Sequence, residues 1–325
     1  MRVAIAGFGA IGGWIGVRMA EAGHEVSALA RGATLAALRE RGAELRQGDE
    51  VRKVRLRASD DPAELGVQDL VVIAVKGPAL AAIASAAAGL VGPETVILPA
   101  MNGVPWWFFE GLPGAFGGKR LVSVDPDARI AQALPADHVL GCVVHAASIS
   151  PEPGVIVHKM GRRLILGEPA GGESERLSRV AAALGDSGFE VEVCRRIQQE
   201  IWYKLWGNMT MNPLSAITGA TCDRILDDPL VNAYILQIMA EAAEIGARIG
   251  CPISESGEDR NAVTRKLGAF KTSMLQDVEA GRPIELDALL SAPREIAAMT
   301  GVSTPAIDSL LGMTRLFART HGLYA

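Results

Sequence analysis

The first thirteen residues constrain the fold more than any other stretch of the chain. Arg2-Val3-Ala4-Ile5-Ala6 reads as a short apolar strand running directly into Gly7-x-Gly9-x-x-Gly12, and an amphipathic helix is predicted from Ile11 to about Ala22. A strand, a tight glycine turn and a helix open a βαβ unit. In such a unit Gly7 permits the turn, Gly9 lets the backbone approach a pyrophosphate, and Gly12 lets helix and strand pack closely. Gly7, Phe8, Gly9, Ala10, Ile11 and Gly12 therefore form a candidate dinucleotide cradle, with unpaired helix N–H groups facing an anion. The alternative is an ordinary glycine-rich turn.

The second strand bears on which dinucleotide would bind. Gly23-His24 ends the helix, and Glu25 to Ala30 reads as a strand closing at Arg31-Gly32. A site for the unphosphorylated cofactor places an acidic side chain about 20 residues past the glycines to accept from the ribose 2′-hydroxyl. Here that place is held by Arg31. A carboxylate would repel a 2′-phosphate, whereas a guanidinium binds it through charge-assisted hydrogen bonds. NADP(H) is expected over NAD(H), the alternative being a solvated loop arginine.

With 325 residues, 49% of them hydrophobic, the chain can bury a sizeable core and divide into two domains. A net charge of −5 and the lack of a basic stripe argue against nucleic acid as a partner. Cys142, Cys194, Cys222 and Cys251 are scattered without metal-ligand spacing, so no metal site or disulfide framework is expected, and the cysteines fit a cytoplasmic protein. No run approaches the roughly 20 apolar residues of a membrane span, and the N-terminus does not read as an export signal.

Strands and helices continue to alternate, as in a doubly wound parallel sheet. Leu70 to Val75 is a continuous apolar strand ending at Lys76-Gly77-Pro78, a helix follows from Ala79 to Leu90, and Thr95 to Leu98 is a strand leading to Asn102-Gly103. Ligands bind in loops at the carboxyl edge of such sheets. Lys76 could meet a cofactor phosphate or be a surface lysine; Asn102 could bond substrate or cofactor or simply form an Asn-Gly turn. Trp106-Trp107-Phe108-Phe109 is either a lid or apolar substrate wall, or a buried turn or subunit contact. Residues 139–144, 154–158, 163–167 and 190–193 read as strands that extend the same sheet.

From about residue 195 the pattern becomes helical, which places a Rossmann-type α/β domain at 1–195 and an all-helical domain at 196–325. The first helix, predicted over Ile197–Met211 and ending near Pro213, carries Lys204, Asn208 and Asn212 at steps of four, hence along one face. Lys204, flanked by Trp202 and Trp206, either snorkels to solvent or donates a proton to a carbonyl oxygen and stabilises its developing charge. Taken alone, Ser273 reads as a helix cap or a polar surface residue. Glu285 precedes a predicted helix from Leu286 to Met299, where it would be a favourable first-turn charge.

At this point the chain resembles the ketopantoate reductase (2-dehydropantoate 2-reductase) family. The residues that carry the resemblance are Gly7 to Gly13, Arg31, Ala74-Val75-Lys76, Asn102-Gly103, Trp202-Tyr203-Lys204-Leu205, Asn208, Asn212 to Ala216, Ser273 to Asp277 and Ile284 to Asp287, which run in the family's order. The resemblance implies a Rossmann domain followed by a helical domain, with an NADPH-dependent reduction of a 2-keto acid in the cleft between them. It implies Lys204 as the general acid at the C2 oxygen and Glu285 as the residue that binds the substrate hydroxyl and assists. By the same resemblance Ser273, Asn208 and Asn212 hold the substrate's carboxylate and hydroxyl groups, Asn102 lies between cofactor and substrate, and Arg31 and Lys76 contact the NADP phosphates or adenosine ribose.

One stretch departs from the family. Where members often continue Asp-Tyr-x-Asn-Gly after the glutamate, this chain has Asp287-Ala288-Leu289-Leu290-Ser291. Together with the aromatic run, that leaves open a different, bulkier 2-keto acid. A non-catalytic NADP-binding redox sensor is the reading from another class. The helical domain's apolar faces allow a homodimer.

Overall fold

The computed structural model describes residues 1–112 and 114–325. The chain forms two compact units, one of Met1–Met101, Trp107–Arg120 and Asp127–Ile197, the other of Asn102–Trp106, Leu121–Pro126 and Gln198–Ala325.

The first unit is α/β. Its strands are β1 (Arg2–Ala6), β2 (Glu25–Leu29), β3 (Ala43–Gln47), β4 (Glu50–Val54), β5 (Arg57–Ser59), β6 (Leu70–Ile73), β7 (Val96–Pro99), β8 (Gly141–Glu152), β9 (Val155–Gly167) and β10 (Glu190–Val193). Its helices are α1 (Ala10–Glu21), α2 (Gly32–Arg41), α3 (Pro62–Leu65), α4 (Gly77–Ala87), α5 (Arg129–Ala133) and α6 (Glu175–Asp186). A fully parallel sheet runs in the order β5-β2-β1-β6-β7, with Ile5 beside Ala28 on one side and Val72 on the other. β1, β6 and β7 are buried almost throughout, as strands covered on both faces must be.

The later strands do not extend that sheet, contrary to the sequence-based expectation. They build a second one, β10-β9-β3-β4, with β8 antiparallel to β9. The hairpin β3–β4, turning at Gly48 with φ +58°, supplies the parallel partner of β9, and a bridge from Ile97 to Val139 reaches back to the first sheet.

The helix α1 is enclosed, not amphipathic as predicted, because it packs against both sheets. Every residue from Gly12 to Val17 is buried. A side chain at Gly12 would collide with the Gly7 carbonyl and approach Ile5 and Ala74 of the first sheet. One at Gly13 would meet Ile156 of β9 in the second, and one at Gly16 would press on Ile5 and Phe8. Trp14 then fills the space beyond, stacked on His158 at 5.0 Å and edge-on to Phe189 at 4.8 Å.

The second unit is helical: α7 (Ile197–Thr218), α8 (Cys222–Asp227), α9 (Pro229–Arg248), α10 (Gly257–Arg265), α11 (Ser273–Glu279), a π-helical turn at Asp287–Ser291, α12 (Ala292–Thr300) and α13 (Pro305–Thr320). Helix α7 runs past Pro213, where the sequence predicts an end. Proline removes one intrahelical donor, but Leu214, Ser215 and Ala216 beyond it are buried, so packing sustains the helix. Glu241 of α9 accepts from the N–H groups of Ala306 and Ile307, both at 2.9 Å, and so caps α13. Among the described residues no helix is long and apolar enough to cross a membrane.

The aromatic run is core rather than lid. Trp107, Phe108 and Phe109 in the first unit and Trp106 in the second are all at most 5% exposed. Gly141 leaves room for the Trp107 ring, and Phe109 stacks on Phe116 at 6.1 Å.

At the C-terminus, Ile284 N–H donates to the Leu323 carbonyl at 3.1 Å and the Tyr324 hydroxyl donates to Asp287 Oδ1 at 2.6 Å. Burial first, then the Asp287 carboxylate, pushes the Tyr324 phenol up to about 12.

Two measurements follow from this packing. Phe108→Ala should lower stability by about 3–5 kcal/mol in denaturant unfolding, the cost of emptying an aromatic core site; an unchanged midpoint would identify a surface flap instead. The raised phenol ties stability to alkaline pH. Unfolded tyrosine ionises near pH 10 while folded Tyr324 keeps its proton, so its contribution is complete below about pH 10 and is lost as pH rises toward about 12. Unfolding curves from about pH 8 to about pH 11 should show a decline that Tyr324→Phe reduces; identical declines would exclude this residue.

Candidate functional site

The glycine turn of the first unit is shaped for an anion. Gly7 adopts φ +101°, and any side chain there would strike Val75 and the Ala74 carbonyl at the end of β6. Gly9 is the N-cap of α1, has no side-chain capping bond, and a Cβ added to it would enter open space. The first helical bond of α1 runs from Gly13 N–H to the Gly9 carbonyl at 2.8 Å, which leaves the N–H groups of Ala10, Ile11 and Gly12 without intrahelical partners. No acidic residue occupies the first turn. Phe8 is 4% exposed and directs its ring into the core beneath Gly13 and Gly16, so it offers a ligand only its backbone.

Arg31 and Lys76 hold equivalent places. Each is exposed, each is the N-cap of the helix that follows a parallel strand, and each lies at the carboxyl edge of the sheet, after β2 and β6 respectively. The residues present thus fit a nucleotide cofactor: a cradle that side chains would fill, free backbone donors, and two exposed cations along one sheet edge.

The second unit assembles the remaining polar residues around α7. Trp202 and Trp206 donate their indole N–H groups to the Ala242 and Met239 carbonyls of α9, at 3.1 and 2.8 Å. Gly246 makes room for the Trp202 ring. At 100° per residue, the row Lys204, Asn208, Asn212 lies about 200° from the tryptophan row. Docking of the indoles on α9 therefore turns the polar row to the opposite side of α7.

Lys204 Nζ donates to Asn102 Oδ1 at 2.8 Å, joining residues 102 positions apart. The asparagine is held by its neighbours. Gly103, at φ +80°, packs so tightly on Ala288 that a Cβ would come within 2.6 Å of that residue, and Val104 N–H donates to the Ala288 carbonyl at 2.8 Å. The same bond ties the segment bearing Glu285 to the segment bearing Asn102. Glu285 itself is half-buried, just ahead of the π-helical turn. Between α11 and Glu285, the Arg282 guanidinium bonds to the buried Asp277 carboxylate at 3.0 Å, fixing the turn.

Ser273 is the exposed first residue of α11, and the capping role falls to Thr272, whose hydroxyl accepts from Leu275 N–H at 3.2 Å. The Thr272 hydroxyl also bonds the buried Ser215 hydroxyl of α7, which anchors α11 three residues beyond Asn212. Lys204 and Asn102 thus touch directly, whereas Ser273 and Glu285 are joined to them through Thr272 and Ala288. Sequence reasoning did not single out Thr272 or Tyr324. Thr272 adjoins Ser273, whereas Tyr324 carried no local signal, because its contact with Asp287 spans 37 positions.

Comparison with known proteins places the chain in a family. The family model for ketopantoate reductase PanE/ApbA matches residues 3–171, and the model for its C-terminal part matches residues 196–318. A 2-dehydropantoate 2-reductase from Mesorhizobium japonicum is 40% identical over 100% of both chains. A crystal structure from Ralstonia solanacearum MolK2, provisionally named a ketopantoate reductase, is 57% identical with a TM-score of 0.96 over 99% of each chain. D-mandelate dehydrogenase, solved with NADH and anilino(oxo)acetate, shares the fold alone: 19% identity, a TM-score of 0.84, and coverage of 99% of this chain and 100% of that one. The chain belongs to the ketopantoate reductase family of oxidoreductases, with a Rossmann-type α/β part followed by a helical part.

Proposed function

We propose that the protein is an NADPH-dependent reductase of a 2-keto acid, with 2-dehydropantoate as its first substrate, and that Lys204 is its general acid. The observation that carries this reading is the 2.8 Å bond from the Lys204 ammonium to Asn102, on the helix face that also bears Asn208 and Asn212. When bound, the nicotinamide supplies the hydride that the substrate's C2 receives.

The chain's own residues account for the rest. The Gly7–Gly12 turn and the free N–H groups of α1 bind pyrophosphate, Arg31 binds the 2′-phosphate, and Lys76 adds a further cation at the same sheet edge. Asn102 orients Lys204 by accepting one of its N–H groups. Another ammonium N–H then bonds the keto oxygen at C2, stabilises the negative charge that develops on it and transfers a proton to it. The product is a 2-hydroxy acid, and the neutral amine regains its proton from solvent. Asn208, Asn212 and Ser273 hold the substrate's polar groups, and Glu285 takes its hydroxyl.

Burial of Trp106 to Phe109 removes those side chains as the wall of an enlarged pocket. That favours 2-dehydropantoate over the bulkier acid. NADPH oxidation across a panel of 2-keto acids separates the readings: turnover of 2-dehydropantoate above the rest supports this one, preference for a bulkier acid replaces the substrate, and tight NADPH binding with no turnover supports a sensor.

Lys204→Ala should reduce kcat by about 10²- to 10⁴-fold with NADPH affinity nearly unchanged. Near-normal turnover in that variant would remove Lys204 from the chemistry. Because D-mandelate dehydrogenase binds NADH on this fold, the cofactor preference must come from side chains. Arg31→Ala should weaken NADPH binding far more than NADH binding in fluorescence titrations, and equal losses would contradict a 2′-phosphate contact.

A further inference from the structure

A π-helical turn is rare and needs a local cause. In the turn at Asp287–Ser291, Ser291 N–H donates to the Leu286 carbonyl at 3.4 Å and Ala292 N–H donates to the Asp287 carbonyl, each five residues back. In an α-helix the Ala292 N–H would instead take the Ala288 carbonyl. The donor that π geometry would offer Ala288 belongs to residue 293, which is proline and has no N–H. The Ala288 carbonyl is thus left over by its own helix. It accepts from Val104 N–H at 2.8 Å, and so fixes the segment that bears Asn102.

Leu323 and Tyr324 hold this turn from a distance. The Leu323 carbonyl accepts from Ile284 N–H at 3.1 Å, just ahead of Glu285. Asp287 Oδ1 accepts from the Tyr324 hydroxyl at 2.6 Å and from the Ser291 hydroxyl at 3.0 Å, which joins the first and last residues of the turn to each other and to Tyr324. The tyrosine is itself restrained. Leu323 N–H donates to the Ala318 carbonyl of α13 at 2.7 Å, and the Arg319 guanidinium lies 5.7 Å from the centroid of the Tyr324 ring.

We infer that Tyr324 is a positioning residue of the reduction. Its hydroxyl, through Asp287, holds the π-helical turn in the register that offers the Ala288 carbonyl to Val104, and so sets Asn102 as the acceptor for Lys204. The series is continuous: Tyr324 to Asp287 at 2.6 Å, Val104 to Ala288 at 2.8 Å, Lys204 to Asn102 at 2.8 Å. The inference deepens the reductase reading and rests on it. Tyr324 touches no reactant; it governs the aim of the ammonium, which counts when the proton moves more than when the substrate binds.

The test is steady-state reduction of 2-dehydropantoate by the full chain near neutral pH, in a double-mutant cycle. Tyr324→Phe, which removes only the hydroxyl, should lower kcat about 10-fold, the worth of one hydrogen bond to a carboxylate. KM for the acid and for NADPH should stay within about twofold, and thermal unfolding should show an intact fold. In an Asn102→Ala background the same substitution should cost nothing further, because the tyrosine acts through the asparagine. Asp287→Asn, which keeps an oxygen to accept from the phenol, should retain kcat within about twofold.

An unchanged kcat in folded Tyr324→Phe, a full further loss in the Asn102→Ala background, or a 10-fold loss in Asp287→Asn would each overturn the assignment while the reductase reading stood. Should Tyr324→Phe not fold, Asp287→Ala takes its place in the cycle, and the same unchanged kcat or full further loss would overturn it. A wild-type protein that reduces no 2-keto acid would overturn both.

Discussion

The close approach of α1 to two sheets is the constraint on which the first unit depends. A helix of ordinary side chains could not lie against β1 and β9 together; Gly12, Gly13 and Gly16 remove the atoms that would collide with Gly7, Ile156 and Ile5. The same glycines bring the N-terminus of α1 to the end of β1, where the N–H groups of Ala10, Ile11 and Gly12 have no intrahelical partners. Packing and the candidate cradle therefore share residues. A larger side chain at Gly12 would separate helix from strand and close the cradle in one step.

In the second unit the corresponding element is α7, which is held from one side and works from the other. Indole bonds from Trp202 and Trp206 to α9 fix its rotation, and the polar row at Lys204, Asn208 and Asn212 is thereby set about 200° away. Asn102 reaches Lys204 because Gly103 and Val104 are pinned to Ala288, and that segment is in turn held by Tyr324 through Asp287. Long-range contacts of this kind fix the Lys204 ammonium in place, so that little of its side-chain freedom is left.

Much of this was legible in the chain. The strand-glycine-helix opening, the apolar strand over Leu70–Ile73 and the change to helices near residue 195 are local patterns written in adjacent residues. The hairpin β3–β4 was not, because Glu44, Arg46, Glu50, Arg52 and Lys53 leave it without a strand's apolar pattern; its place comes from the pairing of β3 with β9. The second sheet escaped for the same reason, since a strand's sequence does not name its neighbour. Pro213 looked like a helix end, yet the burial of Leu214 to Ala216 outweighs one lost backbone bond. The aromatic run drew attention as a pocket wall, but hydrophobicity alone does not tell a lid from a core.

The sequence by itself determined the nucleotide-type turn, the choice of cation at Arg31 and Lys76, and the alignment of Lys204, Asn208 and Asn212, because each depends on spacing within one helix or loop. Only the tertiary structure decided that Asn102 meets Lys204, that Thr272 and not Ser273 caps α11, and that Tyr324 meets Asp287. Those contacts join residues far apart along the chain, and side-chain packing rather than local backbone geometry selects them.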